Sequence, residues 1–162
     1  RYELIVRQVR RVLPVFGDFV LEAVAGKVLL RWSGNQSDKV FGSHLTSDGS
    51  LRLFCLLTLL NLPPARLPDV MFFDEPELGL HPHAISFVAE MFKRLSRQWQ
   101  IFIATQSPCL VDCFELENII ISSANDGETQ LRSLSQAEYQ DWLNDEYQLS
   151  DIWLTQAVGG ME

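Results

Sequence analysis

Apolar positions recur at helical spacing over the first dozen residues, where Leu4, Ile5, Val9, Val12 and Leu13 share a face and Pro14 stops the run. The spacing predicts a helix over 2–13. Phe19–Val24 and Lys27–Trp32 run apolar or alternate on either side of Ala25-Gly26, the pattern of a hairpin. Residues 33–44, rich in Ser, Gly and Asn, read as a polar loop. Thr46-Ser47-Asp48-Gly49 then offers capping side chains ahead of Ser50–Leu62, an apolar helical run expected to be buried on most sides.

Pro63, Pro64 and Pro68 break the chain before Asp69–Phe73, a short continuous apolar run that ends in acids and predicts a central parallel strand. Pro82–Arg97 is an amphipathic helix, Gln100–Thr105 a second buried strand, Pro108–Cys113 a short helix and Glu117–Ser123 a third strand. This alternation predicts right-handed crossovers in a parallel sheet with helices on its faces, an α/β core. Asn125-Asp126-Gly127 predicts a turn into an edge strand over Glu128–Leu134. Ser135–Asp145 and Ser150–Val158 read as terminal helices, the second stopped by Gly159-Gly160. The expected organisation is one domain over 1–162: a helix and hairpin over 1–44, a core over 45–123, and a strand with helices over 124–162.

Composition narrows the function classes. With 162 residues, 47% hydrophobic and 21% charged, the chain has enough apolar material for a folded core and is no low-complexity protein. The net charge of −8 disfavours the surface as a whole as a nucleic-acid groove, so any such contact must be local. That charge is uneven, because residues 1–40 hold seven Lys or Arg against four Asp or Glu. Cys55, Cys109 and Cys113 are an odd set with no finger spacing, which favours a reduced, cytoplasmic compartment and buried thiols over disulfides or zinc. The apolar run Leu53–Leu62 falls well short of the ~20 residues that span a bilayer, and no membrane contact is expected. Because the chain opens on Arg1 inside a helix, it reads as a piece of a longer polypeptide.

The candidate chemistry is densest at Asp74-Glu75. In open parallel sheets ligands bind beyond the carboxyl ends of the strands, where Asp74 could hold a Mg²⁺ water shell and Glu75 could orient or deprotonate a water. Taken alone, the two acids read equally well as a strand end and a helix cap. Ser47 and the amides after Gly49 open a helix N-terminus suited to an anion, or form an ordinary capping turn. His81 and His83 beside Asp74, Glu75 and Glu77 invite a metal-dependent nuclease reading, a weak one beside the nucleotide motifs.

Three ordered stretches carry a resemblance. Phe73-Asp74-Glu75-Pro76-Glu77-Leu78-Gly79-Leu80-His81-Pro82 resembles the Walker B motif and D-loop of ABC-type ATPases, specifically the AAA ATPases related to the RecF, SMC and overcoming-lysogenization-defect groups. Leu45-Thr46-Ser47-Asp48-Gly49-Ser50-Leu51-Arg52 resembles the ABC signature, and Ala104-Thr105-Gln106-Ser107-Pro108 the switch segment. The resemblance implies the C-terminal lobe of an ABC-type head of the P-loop NTPase class, taking ATP and Mg²⁺. Glu75 and Gln106 would be catalytic, and Ser47, Asp48, Gly49 and Asp74 would bind ATP, with Mg²⁺ near Asp74. Gly79 and His81 would lie at the contact with a second head, a homodimer being expected.

The chain departs from the pattern at Gln106, where ABC transporters and many relatives carry His, and at His81, where transporters carry Asp. Gln cannot titrate. A P-loop is missing from the sequence: Gly26-Lys27 is its one Gly-Lys, and it lacks both the first Gly and the Ser/Thr. The expectation is therefore an ATPase half whose P-loop lobe belongs to the same polypeptide, inactive alone, with DNA repair, recombination, chromosome maintenance or phage defence as its setting and any DNA contacted through other regions. The alternative is a nucleotide-gated interaction module with little or no hydrolysis.

Overall fold

The structure is a computed structural model and describes residues 1–125, 127–134 and 148–154. It divides into two units, Arg1–Ala104 and Thr105–Glu162, each taken by itself. The expected helices over Ser135–Asp145 and beyond Leu154 to Val158, and Asp126 of the expected turn, lie outside the described residues.

In the first unit, α1 (Tyr2–Val12) buries Val6 and Val9 and is tied to α2 (Asp48–Leu60) at its far end. Arg1 Nη1 donates to the carbonyls of Asn61 and Leu62 at 2.9 and 3.0 Å, which satisfies groups left open beyond the last turn of α2. Asn61 Nδ2 donates to Gln8 Oε1 and to the Leu57 carbonyl, both at 2.6 Å, so this buried amide is paired. Helix α3 (Pro82–Leu95) packs on both and buries Ala84, Ile85, Val88, Ala89, Met91, Phe92 and Leu95.

Strand β1 (Phe16–Phe19) pairs antiparallel with β4 (Arg31–Gly34), and β4 with β5 (Ser37–Gly42). The predicted hairpin forms with an interruption: β2 (Ala23–Val24) pairs with β3 (Lys27–Val28) around Ala25 at φ +52° and Gly26 at φ +75°. Two left-handed residues in succession are the signature of a tight hairpin turn. The polar loop expected over 33–44 is mostly strand: Ser33 and Gly34 end β4, and Ser37–Gly42 is β5. Phe41 stands opposite Trp32 and stacks on it with 4.6 Å between ring centroids, and that cross-strand pair outweighs the polar residues around it. Phe16, Phe19, Trp32 and Phe54 of α2 complete an aromatic cluster.

Strand β6 (Val70–Asp74) pairs parallel with β7 (Gln100–Ala104), with α3 as the crossover between them. Two expectations fail here. Burial on both faces does not hold, because one face buries Met71 while the other exposes Val70, Phe72 at 76% and Phe102 at 38%. The third parallel strand is not paired with these two: β8 (Ile120–Asn125) belongs to the second unit and pairs antiparallel with β9 (Glu128–Ser133). The turn through Gly127, at φ +83°, folds β9 straight back onto β8.

The second unit also holds α4 (Pro108–Val111) and α5 (Leu149–Leu154). Leu116 and Leu134 are buried among Ile119, Ile121 and Leu149. Asp112 accepts from the Ser150 amide and hydroxyl at 2.8 and 2.7 Å, which fixes the start of α5. Buried thiols were expected, but Cys55 and Cys109 are exposed and Cys113 half-buried, and no disulfide joins any of the three. Among the described residues no helix is long and apolar enough to cross a membrane.

Candidate functional site

The antiparallel sheet sets up the approach to α2. Trp32 Nε1 donates to Thr46 Oγ1, and Thr46 Oγ1 to the Gly42 carbonyl, each at 2.9 Å, so the residue before the cap is held from two sides. Ser47 then caps α2: its Oγ accepts from the Ser50 amide at 3.2 Å and lies 2.9 Å from Ser50 Oγ. Asp48 stands in the first turn, where a carboxylate opposes the positive end of the helix dipole. Ser47 and Asp48 are exposed and Gly49 is buried.

Gly49 is buried because the backbone of Gly79 lies on it. A Cβ at position 49 would come within 2.0 Å of the Gly79 carbonyl oxygen, a distance no side chain can occupy. Gly79 has φ +79°, a conformation glycine adopts without strain. Gly49 is thus required by the contact and Gly79 by its backbone conformation.

Asp74 ends β6, exposed at the carboxyl edge of the parallel pair. Glu75 continues the ladder by donating its amide to the Ala104 carbonyl at 2.9 Å, then turns with φ +44°, in the left-handed region that non-glycine residues rarely adopt. Its carbonyl accepts from the Leu78 amide at 3.2 Å and from Arg52 Nη1 at 3.4 Å. Arg52 therefore braces this turn from α2. A strained residue held by its surroundings at a sheet edge is a common feature of functional sites.

His81 caps α3, its Nδ1 accepting from the His83 amide at 3.3 Å, with Pro82 at the first helical position. That employment suits a capping histidine better than a metal ligand. Among the described residues no three His, Cys, Asp or Glu converge to hold a metal ion. Mg²⁺ asks for less, since it keeps several waters and takes one or two carboxylates with substrate phosphates. The exposed Asp74 carboxylate, with Glu75 beside it, fits that demand.

The first unit thus gathers Ser47, Asp48 and Gly49 with Gly79, and Asp74 and Glu75 with Arg52. Gln106 stands in the second unit, exposed, two residues before α4, where the Ser107 amide donates to Thr105 Oγ1 at 2.9 Å. Sequence reasoning missed the Gly49–Gly79 contact. The two glycines were each visible, and nothing in their spacing said that they touch.

Residues 4–112 match the family described as "AAA domain, putative AbiEii toxin, Type IV TA system". The chain belongs to this family. No curated protein matches it significantly in sequence. This AAA domain is similar in structure to an SMC ATPase from work on ATP-driven dimerization and DNA-stimulated activation, with a TM-score of 0.64 and 20% identity over 90% of this chain and 92% of that one. An Smc head with an extended coiled coil bound to the C-terminal domain of ScpA, derived from Pyrococcus furiosus, matches with a TM-score of 0.67 and 18% identity over 90% of this chain. An Smc head bound to the C-winged helix domain of ScpA matches with a TM-score of 0.64 and 20% identity over 86% of this chain. The chain spans only 37% and 45% of those two. At such identities the likeness establishes the fold of an SMC ATPase head, within the P-loop NTPase class.

Proposed function

We propose that residues 1–162 form the C-terminal part of an ABC-type head that binds and hydrolyses ATP between two heads. The observation that carries this reading is the joining of the α2 N-terminus to the turn after Asp74-Glu75, through the Gly49–Gly79 contact and the Arg52 brace. A helix N-terminus that can meet a phosphate and a carboxylate pair at a strand end are both parts of phosphoryl-transfer sites, and here one junction ties the part offered to a second head to the part that serves this chain's own nucleotide. Family membership and the SMC-head fold support the same reading.

In this mechanism Ser47 and the amides at the start of α2 meet the γ-phosphate of ATP carried by a second copy, with Gly79 and His81 at the contact between heads. Asp74 would hold Mg²⁺ through water, and the ion would neutralise charge on the phosphates. Glu75 orients a water for in-line attack on the γ-phosphorus and accepts its proton. Gln106, as the residue of the switch segment, would serve the nucleotide by amide hydrogen bonding and without a titratable proton. The P-loop comes from an N-terminal lobe of the same polypeptide. The uncovered Val70, Phe72 and Phe102 supply an apolar face that such a lobe would bury. A head that closes on ATP and opens on hydrolysis serves DNA repair or recombination, chromosome maintenance or phage defence.

The test is phosphate release by the full-length protein. Glu75→Gln should lower turnover by about 10²–10⁴-fold, the range of a general base, with ATP binding retained. Retained turnover in that variant overturns the assignment of Glu75, and bound ATP without turnover in the parent leaves the non-hydrolysing, nucleotide-gated module.

A further inference from the structure

A groove of about 650 Å³ runs between α1 and α3, entirely within the first unit and lined by neither Asp74 nor Glu75. Its walls carry Arg7 and Arg11 from α1 and Lys93, Arg94 and Arg97 from α3 or just beyond it. Glu90 is the one acid among the lining residues, and it is taken by Lys93 at 3.0 Å. Five cations around one acid stand out on a protein of net charge −8. A solvated helix face usually balances its signs; this groove is weighted five to one toward cations.

The arginines of α1 divide by employment. Arg10 donates to the Gly17 carbonyl at 2.6 Å and reaches Asp18 at 4.0 Å, and Arg1 closes the end of α2. Arg7 and Arg11 point instead toward the groove, and among the described residues neither they nor Arg94 and Arg97 form an ion pair. All four are exposed. Arg7 and Arg11 rise about 6 Å apart on one face of α1, and Arg94 and Arg97 follow a similar step on the other wall. Two short cationic rows thus face one another across a concave channel.

The floor adds an aromatic. Phe87 is half-buried, and the Arg11 guanidinium lies 5.1 Å from its ring centroid. A cationic channel that follows a phosphate backbone, with an aromatic ring and a guanidinium plane for bases to stack on, is how proteins hold single strands without reading sequence. An acidic protein segment would use the cations and leave Phe87 unused. A duplex presents its phosphates on a convex rod, which a channel between two helices does not match. We propose that the α1–α3 groove binds a single strand of nucleic acid, its phosphates along the arginine rows and a base against Phe87 and Arg11.

Anisotropy of a labelled oligothymidylate of about 16 nucleotides, titrated with the intact protein in the absence of ATP, tests this independently of turnover. Arg94→Glu with Arg97→Glu should weaken binding by at least about tenfold and flatten the log–log salt dependence by about 0.7 for each phosphate that is no longer neutralised. Glu90→Gln should tighten binding by about two- to fivefold. Arg66→Glu, an equal charge change at an exposed arginine outside the groove, should leave binding unchanged. If the double reversal unfolds the protein, Arg7→Gln with Arg97→Gln carries the same test at lower charge cost. No saturable binding, equal weakening by Arg66→Glu, tighter binding of a duplex of the same length, or displacement of the strand by polyglutamate at equal charge each overturns the proposal.

Discussion

Two sheets of the first unit solve burial in opposite ways. The antiparallel sheet β1-β4-β5 is covered by α2: Phe16 and Trp32 are buried with Phe54 of that helix in one aromatic cluster, with ring centroids 5.4 to 6.3 Å apart. The parallel pair β6-β7 covers one face with α3 and leaves Phe72 and Phe102 stacked on each other, 4.9 Å apart and 9° from coplanar, on the open side. The candidate chemistry stands at the end of the second sheet. A strand pair of this kind normally sits between two layers, so its bare face is what a missing layer would leave.

The largest effect expected from this contrast is in stability. Phe54→Ala removes a ring from the cluster and should cost about 3–5 kcal/mol in urea unfolding of the chain, whereas Phe72→Ala should change stability by less than about 0.5 kcal/mol. In a polypeptide that includes the proposed N-terminal lobe, Phe72→Ala should rise to a core-like cost of about 3 kcal/mol. Equal, small costs for Phe72→Ala in both settings would break the link between the bare face and that lobe.

Gly49→Ala is next. The added methyl meets the Gly79 carbonyl oxygen at 2.0 Å, so the α2 N-terminus or the turn after Glu75 must move. Overpacking of this kind costs about 1–3 kcal/mol. Urea midpoints measure it, and ATP-dependent association of the full-length protein should fall further than stability does, because the displaced groups are the ones proposed to meet phosphate. Unchanged stability would mean that the two glycines are not in contact in solution.

How much of this was legible follows the length scale of each signal. Helices α1, α2 and α3 were visible in apolar spacing, in the cap at Ser47 and in Pro82 at the start of α3, all local features. Strands β6 and β7 were visible as apolar runs, but a run says nothing about which face finds a partner, and Phe72 was therefore placed in a core it does not occupy. Strand β5 was missed because Ser37, Asp38 and Lys39 outnumber the two apolar residues that pair it to Trp32 and Ser33. The site divides the same way. Asp74 and Glu75 were found by position after a strand, while the +44° turn at Glu75 and the Gly49–Gly79 contact depend on long-range packing that no spacing encodes.

The smallest effect sits at the rim of the antiparallel sheet, where Tyr2 of α1 packs near Phe19 with 6.5 Å between ring centroids. Its hydroxyl donates to Asp18 Oδ1 at 2.6 Å, and desolvation, with the hydrogen bond to Asp18 and the charge of that carboxylate, pushes the phenol from 10.0 up to about 12. A raised folded value favours the protonated phenol. The stabilisation is therefore fully present below the unfolded value near 10 and is lost as pH rises through 12. Because Tyr2 is 44% exposed, solvent screening keeps the gain modest. The stability difference between the parent and Tyr2→Phe should stay flat from about pH 7 to 9 and close between about pH 10 and 12. No difference between the parent and Tyr2→Phe at any of these pH values would leave the contribution of Tyr2 to its ring against Phe19, which the variant keeps, and the edge of the aromatic sheet would then be held by packing alone.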